Sequence, residues 1–286
     1  GHWIFFLGCL FHEMSFGLGF ASKDVVDGVA VIGCGVLGTS LCKQLLESPE
    51  FSSTTITGVT KTTDRHAEIQ EKVVGSSSSP SDSRFVVTTA DEIKDRKFKN
   101  VVFCAPPSGF EDYPSAIQDA VTNVWNSDVG GSFVFTSSGG IYAGADGETV
   151  TESSPTATAE SSPRTARLVH AEKAVLDSGG ACLRLAGLYT AERGAHSFWL
   201  KKKEGNEVRG REDGIINLLH YDDAASACMA ALLAGPSVVS QQIFLVSDGH
   251  PTTRRGILEA ALRTKLYRDK SMPTFLGGDS DPKGKV

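Results

Sequence analysis

The sequence predicts an α/β fold, a doubly wound and mainly parallel sheet with a small C-terminal lobe, and three observations predict it. A short apolar run at 29–32 ends in Gly33-x-Gly35-x-x-Gly38 and passes into helical spacing at Leu37, Leu41, Leu45 and Leu46. Apolar or β-branched runs then recur at 54–60, 84–88, 100–105, 131–135, 181–186 and 243–246, with helical stretches between them. The run at 100–105 is apolar nearly throughout, as a strand covered on both faces must be.

Composition narrows the function classes. The chain has 286 residues, 40% hydrophobic and 22% charged, enough to bury a full core. Its formal net charge of −6 supplies no basic field for nucleic acid, and Lys201-Lys202-Lys203, its one cationic run, is read as a solvated turn. The six cysteines never form a Cys-x-x-Cys pair, so buried thiols in a reducing compartment are expected, and no metal site. Cys34 alone stands beside a helix N-terminus, where a thiol pKa falls; a small residue in a tight turn also accounts for it.

Residues 1–23 are markedly apolar but interrupted by His2, His12, Glu13 and glycines, and they lack a basic n-region. They are expected to be a leader remnant or disordered apolar segment outside the fold, with no stable membrane span; an N-terminal amphipathic membrane anchor is the alternative. Residues 24–286 form the expected domain. Its first strand, turn and helix read as a dinucleotide site. Gly33 permits the turn, Gly35 lets the backbone approach a pyrophosphate, and Gly38 lets helix and strand pack closely. Cys34, Val36 and Leu37 complete that turn.

The end of the second strand bears on the choice of cofactor. A site for NAD usually offers a carboxylate about 20 residues beyond the glycines. Here the chain reads Thr60-Lys61-Thr62-Thr63-Asp64-Arg65, and hydroxyls with the cations Lys61 and Arg65 suit a 2′-phosphate. NADP is therefore preferred; Asp64 keeps NAD open, although it is also explained as the cap of a helix over 64–73. The Ser-rich stretch 75–83 is a surface connection.

Strand 100–105 exits through Cys104, Ala105, Pro106 and Pro107, a stiff loop beside the cofactor, and a helix follows over 113–125. The strand at 131–135 leads into Thr136-Ser137-Ser138, whose hydroxyls face the same cleft and suit a substrate carbonyl or hydroxyl. After the strand at 181–186, Arg193 and His196 stand where an anionic group would be held. Asp222 and Thr252 or Thr253 read as caps of later helices.

Taken together, Gly33 to Gly38, Thr136-Ser137-Ser138 with Tyr142, Arg184-Leu185-Ala186-Gly187-Leu188-Tyr189 and His220-Tyr221-Asp222-Asp223-Ala224 resemble the extended short-chain dehydrogenase/reductase superfamily. An atypical, NAD-dependent epimerase/dehydratase-like subgroup of small bacterial and plant plastid proteins is the most similar. The likeness spans roughly residues 29–273. It implies a Rossmann domain with a small substrate lobe contributed from about residue 187, and Ser138 as the catalytic serine. Ala186, Gly187 and Leu188 would lie beside the nicotinamide, and residues 220–223 would close over a small-molecule substrate. It also implies a homodimer, chloroplast or plastid stroma with cytoplasm as the alternative, and further chain beyond residue 286.

In that family a tyrosine precedes a lysine by four residues on one helix, the lysine holding the ribose and the tyrosine exchanging the proton. Lys173 matches the lysine, whereas Val169 stands at the tyrosine's place and cannot exchange a proton. Tyr142 is the better substitute acid, ahead of His170. Two functions follow: an NADP-dependent oxidoreductase or epimerase-like enzyme acting on a carbonyl or secondary alcohol, or a catalytically silent dinucleotide-binding protein serving as a redox sensor or assembly factor.

Overall fold

The computed structural model describes residues 24–75, 83–143, 146–158, 162–201 and 207–284. The expected leader, most of the Ser-rich connection, and Lys202 and Lys203 lie outside the described residues. The chain opens with β1 (Asp24–Ile32), α1 (Val36–Glu47), β2 (Thr55–Thr60), α2 (His66–Val74), β3 (Phe85–Thr89) and β4 (Arg96–Phe103). Next come α3 (Tyr113–Asp119), continued by a π-helical turn at Ala120–Val124, β5 (Phe133–Ser138), α4 (Pro163–Asp177) and β6 (Ala181–Leu185). There follow β7 (Gly187–Tyr189), α5 (Ala195–Leu200), β8 (Glu207–Val208), β9 (Ile215–Ile216), β10 (Leu218–His220) and α6 (Tyr221–Ala234). The last elements are α7 (Pro236–Val239), β11 (Ile243–Val246), β12 (Thr252–Thr253), α8 (Arg254–Leu262) and β13 (Thr274–Phe275).

Seven strands form one parallel sheet in the order β11-β6-β5-β4-β1-β2-β3. The fold is thus a doubly wound α/β sheet. Strand order runs outward in opposite directions from β1, so the carboxyl ends of β1 and β4 flank the switch point where such sheets open a crevice. Alternation along β1 separates two cores. Val29 and Val31 face α1, α2 and α6, while Ala30 faces α3 and α4. A third, smaller cluster joins Leu200, Val208, Leu258, Ala261 and Tyr267 beyond the sheet.

Several boundaries differ from expectation, each for a local reason. Thr136 to Ser138 belong to β5 itself, because Ser137 and Ser138 pair with Arg184 and Leu185 of β6. Helix α2 starts at His66, its N-cap being Arg65; Asp64 instead accepts from Thr62 Oγ1 at 2.8 Å. His220, not Asp222, caps α6: its Nδ1 accepts from the Asp222 N–H at 3.2 Å. Asp222 Oδ1 accepts from Ser40 Oγ at 2.6 Å, tying α6 to α1.

Candidate cofactor and substrate cleft

The three glycines have three different geometries. Gly33 has φ +97°, and a β-carbon there would lie 2.3 Å from the Ala105 nitrogen. A β-carbon at Gly38 would lie 2.5 Å from the Gly33 carbonyl oxygen, so this glycine sets how closely α1 packs under the turn. At Gly35 the nearest atom would be 3.9 Å away; that glycine opens onto space rather than onto protein. The turn is pinned by the Gly33 and Cys34 N–H groups, which both donate to Val59 O, at 2.9 and 3.0 Å. Gly35 caps α1 without any side-chain acceptor, and the first turn holds no acidic residue, which leaves its positive end for an anion.

Over this turn lies a cleft of 640 Å³. Gly33, Gly35, Val36 and Leu37 form its floor, Cys104, Ala105, Pro106 and Pro107 one wall, and Thr136, Ser137 and Ser138 the head of the sheet. Leu188, Arg193 and Tyr221 close the far side. The residues fit a dinucleotide: a glycine cradle with room for phosphate at Gly35, an uncapped helix start, and hydroxyls at the end of β5. Ser138 Oγ accepts from the Gly140 N–H at 3.1 Å, so its own hydrogen remains for a ligand oxygen; Thr136 Oγ1 donates to Phe103 O at 3.3 Å.

Thr60, Lys61, Thr62 and Arg65 sit beyond this floor, at the end of β2. Thr60 Oγ1 contacts His66 Nε2 at 2.7 Å and donates to Thr62 O at 2.8 Å. Lys61 Nζ reaches Gly109 O at 3.4 Å, and Arg65 pairs with Glu68 at 2.8 Å. Lys61, Thr62 and Arg65 are exposed, and none is a lining residue of the cleft. Cys34 and Gly38 lie beneath the floor, and Ala186 and Gly187 behind Leu188, their N–H groups donating to Val246 O and Asn217 O.

Two candidate catalytic residues are placed away from the cleft. Lys173 is 72% exposed and paired with Asp177 at 2.5 Å, on the solvent side of α4. The face of α4 that lines the cleft carries Thr165 and Leu168 instead. One turn on, Glu172 is buried against Arg184, and this ion pair fixes the rotation of the helix. Tyr142 is 3% exposed and points under Arg184, whose guanidinium lies 4.8 Å from its ring centroid, since Tyr142 bridges Thr156 and the loop folds it into the protein. His170 is exposed. His196, expected beside substrate, is buried with Nε2 3.0 Å from Ala191 O.

Sequence reasoning missed Tyr113, Thr165 and Leu168 as lining residues, whereas Tyr221 belongs to the stretch 220–223 expected to close over substrate and does line the cleft. Tyr113 opens the helix expected over 113–125. Its hydroxyl donates to Ala105 O at 2.8 Å, and burial pushes its pKa well up, so it braces the wall without titrating near neutral pH. Leu168 lies four residues before Glu172, on the same face of α4, and only the burial of Glu172 in the fold marks that face as the inward one. Among the described residues, no group of three His, Cys, Asp or Glu is arranged to hold a metal ion.

No family model matches the sequence, and no curated protein matches it. Solved structures do match it. UDP-glucuronic acid 4-epimerase from Bacillus cereus, in complex with UDP-glucuronic acid and NAD, superposes with a TM-score of 0.65 at 15% identity, over 90% of this chain and 89% of that one. The chain shares the fold of the NAD-dependent epimerases and dehydratases. dTDP-glucose 4,6-dehydratase from Bacillus anthracis, in complex with NAD, gives a TM-score of 0.64 at 15% identity over 91% and 87%. A conserved protein of unknown function from Silicibacter pomeroyi gives 0.63 at 17% over 89% and 83%. The extended short-chain dehydrogenase/reductase resemblance and the structural likeness therefore agree on the fold.

Proposed function

We propose that the chain binds NADP in this cleft and acts as an oxidoreductase or epimerase-like enzyme on a carbonyl or secondary alcohol. The observation that carries the reading is Gly35, the one glycine of the turn whose missing side chain leaves space in the cleft rather than against protein. The first turn of α1 would hold the pyrophosphate, and Lys61, Thr62 and Arg65 the 2′-phosphate, since no carboxylate of β2 stands there to repel it. The fold relatives bound to NAD support a nicotinamide dinucleotide; the preference for NADP rests on these side chains.

When bound, such a cofactor supplies hydride donation or acceptance. The chain's own part is positioning: Ser138 donates its hydroxyl to the substrate oxygen, and Pro106, Pro107 and Tyr113 keep the facing wall stiff. Arg193, whose guanidinium has no hydrogen bond or ion pair among the described residues, suits a substrate carrying an anionic group.

A second reading, binding without turnover, is favoured by one observation. The cleft face of α4 offers Thr165 and Leu168, neither of which transfers a proton near neutral pH. Calorimetric titration with NADPH and NADH, followed by NADPH oxidation against a panel of carbonyls, separates the readings. Binding of NADPH ahead of NADH with turnover supports the enzyme; binding without turnover supports the silent protein; binding of neither cofactor overturns both.

A further inference from the structure

Three thiols crowd the underside of the glycine turn. Cys34 Sγ lies 3.9 Å from Cys42 Sγ and 3.8 Å from Thr39 Oγ1, and Cys104 Sγ donates to Gly33 O at 3.3 Å. All three are free cysteines. Buried thiols often serve as small apolar side chains, and Cys104 and Cys228 fit that role: burial pushes both pKa values up. Cys34 and Cys42 differ from them in placement and in chemistry. Cys34 is the residue between Gly33 and Gly35, so its backbone is part of the turn beneath the cleft, whereas Cys42 is fixed two turns into α1 with no exposed surface.

Their acidities are opposed. The hydrogen bond from Cys42 holds the Cys34 thiol below its usual value, burial opposes this, and Thr39 and the Arg65 charge add to the lowering. Burial pushes Cys42 up. An acidic thiol in contact with a more basic one is the arrangement in which the first is oxidised and the second resolves it.

We infer that Cys34 and Cys42 are a disulfide-forming pair whose closure draws the glycine turn away from the dinucleotide; that last consequence rests on the cofactor reading above. With hydrogen peroxide as oxidant, the Cys34 thiolate attacks one peroxide oxygen and the O–O bond breaks, giving a sulfenic acid and, after protonation, water. Cys42 sulfur then attacks the Cys34 sulfur. The S–S bond forms, the S–O bond breaks, and a second water leaves with the Cys42 proton. Two thiols are oxidised and one peroxide is reduced to two waters. A dithiol reductant reverses the change by two exchanges.

The geometry ties this bond to the cleft. Closing 3.9 Å to a bond of about 2.0 Å moves the sulfurs together by roughly 1.9 Å. Cys42 is held in the packed helix, so the turn yields. On its other side Cys34 Sγ abuts Gly58, where a β-carbon would lie only 3.0 Å away, so the thiol fills a slot between β2 and α1. N–H groups that bond phosphate lose that bond once displaced beyond about 3.5 Å. A bound dinucleotide, packed on the turn, holds it in the reduced shape and slows oxidation.

The test uses the full chain. Reduced protein is treated with hydrogen peroxide, remaining thiols are alkylated, and intact mass and peptide maps are recorded; NADPH affinity is measured before, after, and after dithiothreitol. The expected results are a mass loss of two hydrogen atoms, a peptide linking Cys34 to Cys42, and NADPH affinity weakened about tenfold or more and restored by dithiothreitol. Saturating NADPH should slow the linkage. Cys42→Ala, which keeps the buried site apolar, should give no linked peptide and keep its NADPH affinity after brief peroxide treatment once Cys34 is re-reduced. Absence of a 34–42 link in wild-type protein, or a link that leaves NADPH affinity unchanged, overturns the inference. If reduced protein forms the link but binds neither NADPH nor NADH, the disulfide pair stands and the cofactor reading, with the consequence drawn from it, falls.

Discussion

Arg184 and Glu172 form a two-pronged ion pair inside the protein: Nε and Nη2 of the arginine donate to Oε1 and Oε2 of the glutamate at 3.0 and 2.8 Å, with side chains 5% and 4% exposed. Burial works against the charge on Arg184, but hydrogen bonds and charge from Glu172 and Tyr142 outweigh it and hold its pKa above the ordinary value. The pair joins β6 to α4, and a third donation, from Nη1 to Glu152 O at 3.0 Å, adds the segment before α4. The rotation of α4, and with it the side chains shown to the cleft, depends on this contact.

Glu172→Leu leaves that guanidinium buried without its acid, which should cost about 3–5 kcal/mol in chemical denaturation. The double variant Glu172→Leu with Arg184→Met replaces both charges by apolar groups and should recover most of the loss. Equal destabilisation of single and double variants would show that packing, not pairing, holds the site.

The glycines should separate folding from binding. Gly35→Ala places its methyl in the cleft with no atom closer than 3.9 Å, so its melting temperature should stay near wild type while NADPH affinity falls about tenfold or more. Gly38→Ala drives a methyl to 2.5 Å from Gly33 O and should lose stability by about 1–3 kcal/mol as well. Retained NADPH affinity in Gly35→Ala would mean that the phosphates lie elsewhere.

Lys61 tests the choice of cofactor. It is exposed, and the hydrogen bond from its Nζ to Gly109 O is long at 3.4 Å, so the ammonium group is available to a phosphate. Lys61→Glu should weaken NADPH by about tenfold, through lost attraction and added repulsion, while NADH binding holds or improves. Parallel changes for both cofactors in calorimetry would remove the 2′-phosphate role.

How far the sequence could be read follows from the range of the interactions involved. The turn at Gly33 to Gly38 was legible because steric demand on a backbone is local: φ at Gly33 and the approach of Gly38 are set within six residues. The parallel, doubly wound sheet was legible because strands alternate with helices along the chain, whereas the order of its strands comes from the structure. The rotation of α4 was not legible. Residues 168 and 169 differ by only one position on a helix, and the choice between them is made by Arg184, on another strand. Tyr142 was misplaced for a similar reason, since a loop position does not tell which way a side chain turns; the bridge to Thr156 and the Arg184 guanidinium do.

Tyr113 lines the cleft, yet its hydroxyl is spent on Ala105 O and burial keeps it protonated. Tyr113→Phe should therefore cost about 1 kcal/mol of stability and leave the pH profile of any NADPH oxidation unchanged. Loss of a basic limb from that profile would identify Tyr113 as a proton donor after all.

Lys173 offers the sharpest comparison of motif with structure. By sequence it stands where the superfamily's ribose-binding lysine is expected; in the fold it is turned to solvent and held by Asp177 four residues on. An exposed pair of that spacing contributes about 0.3–0.5 kcal/mol. Lys173→Ala should therefore change stability by no more than that and leave NADPH affinity within about twofold of wild type, because the buried Glu172 beside it prevents α4 from rolling the lysine inward. A tenfold loss of NADPH affinity in Lys173→Ala, with stability intact, would mean that α4 turns when the cofactor binds, and that the Arg184–Glu172 pair must open to let it.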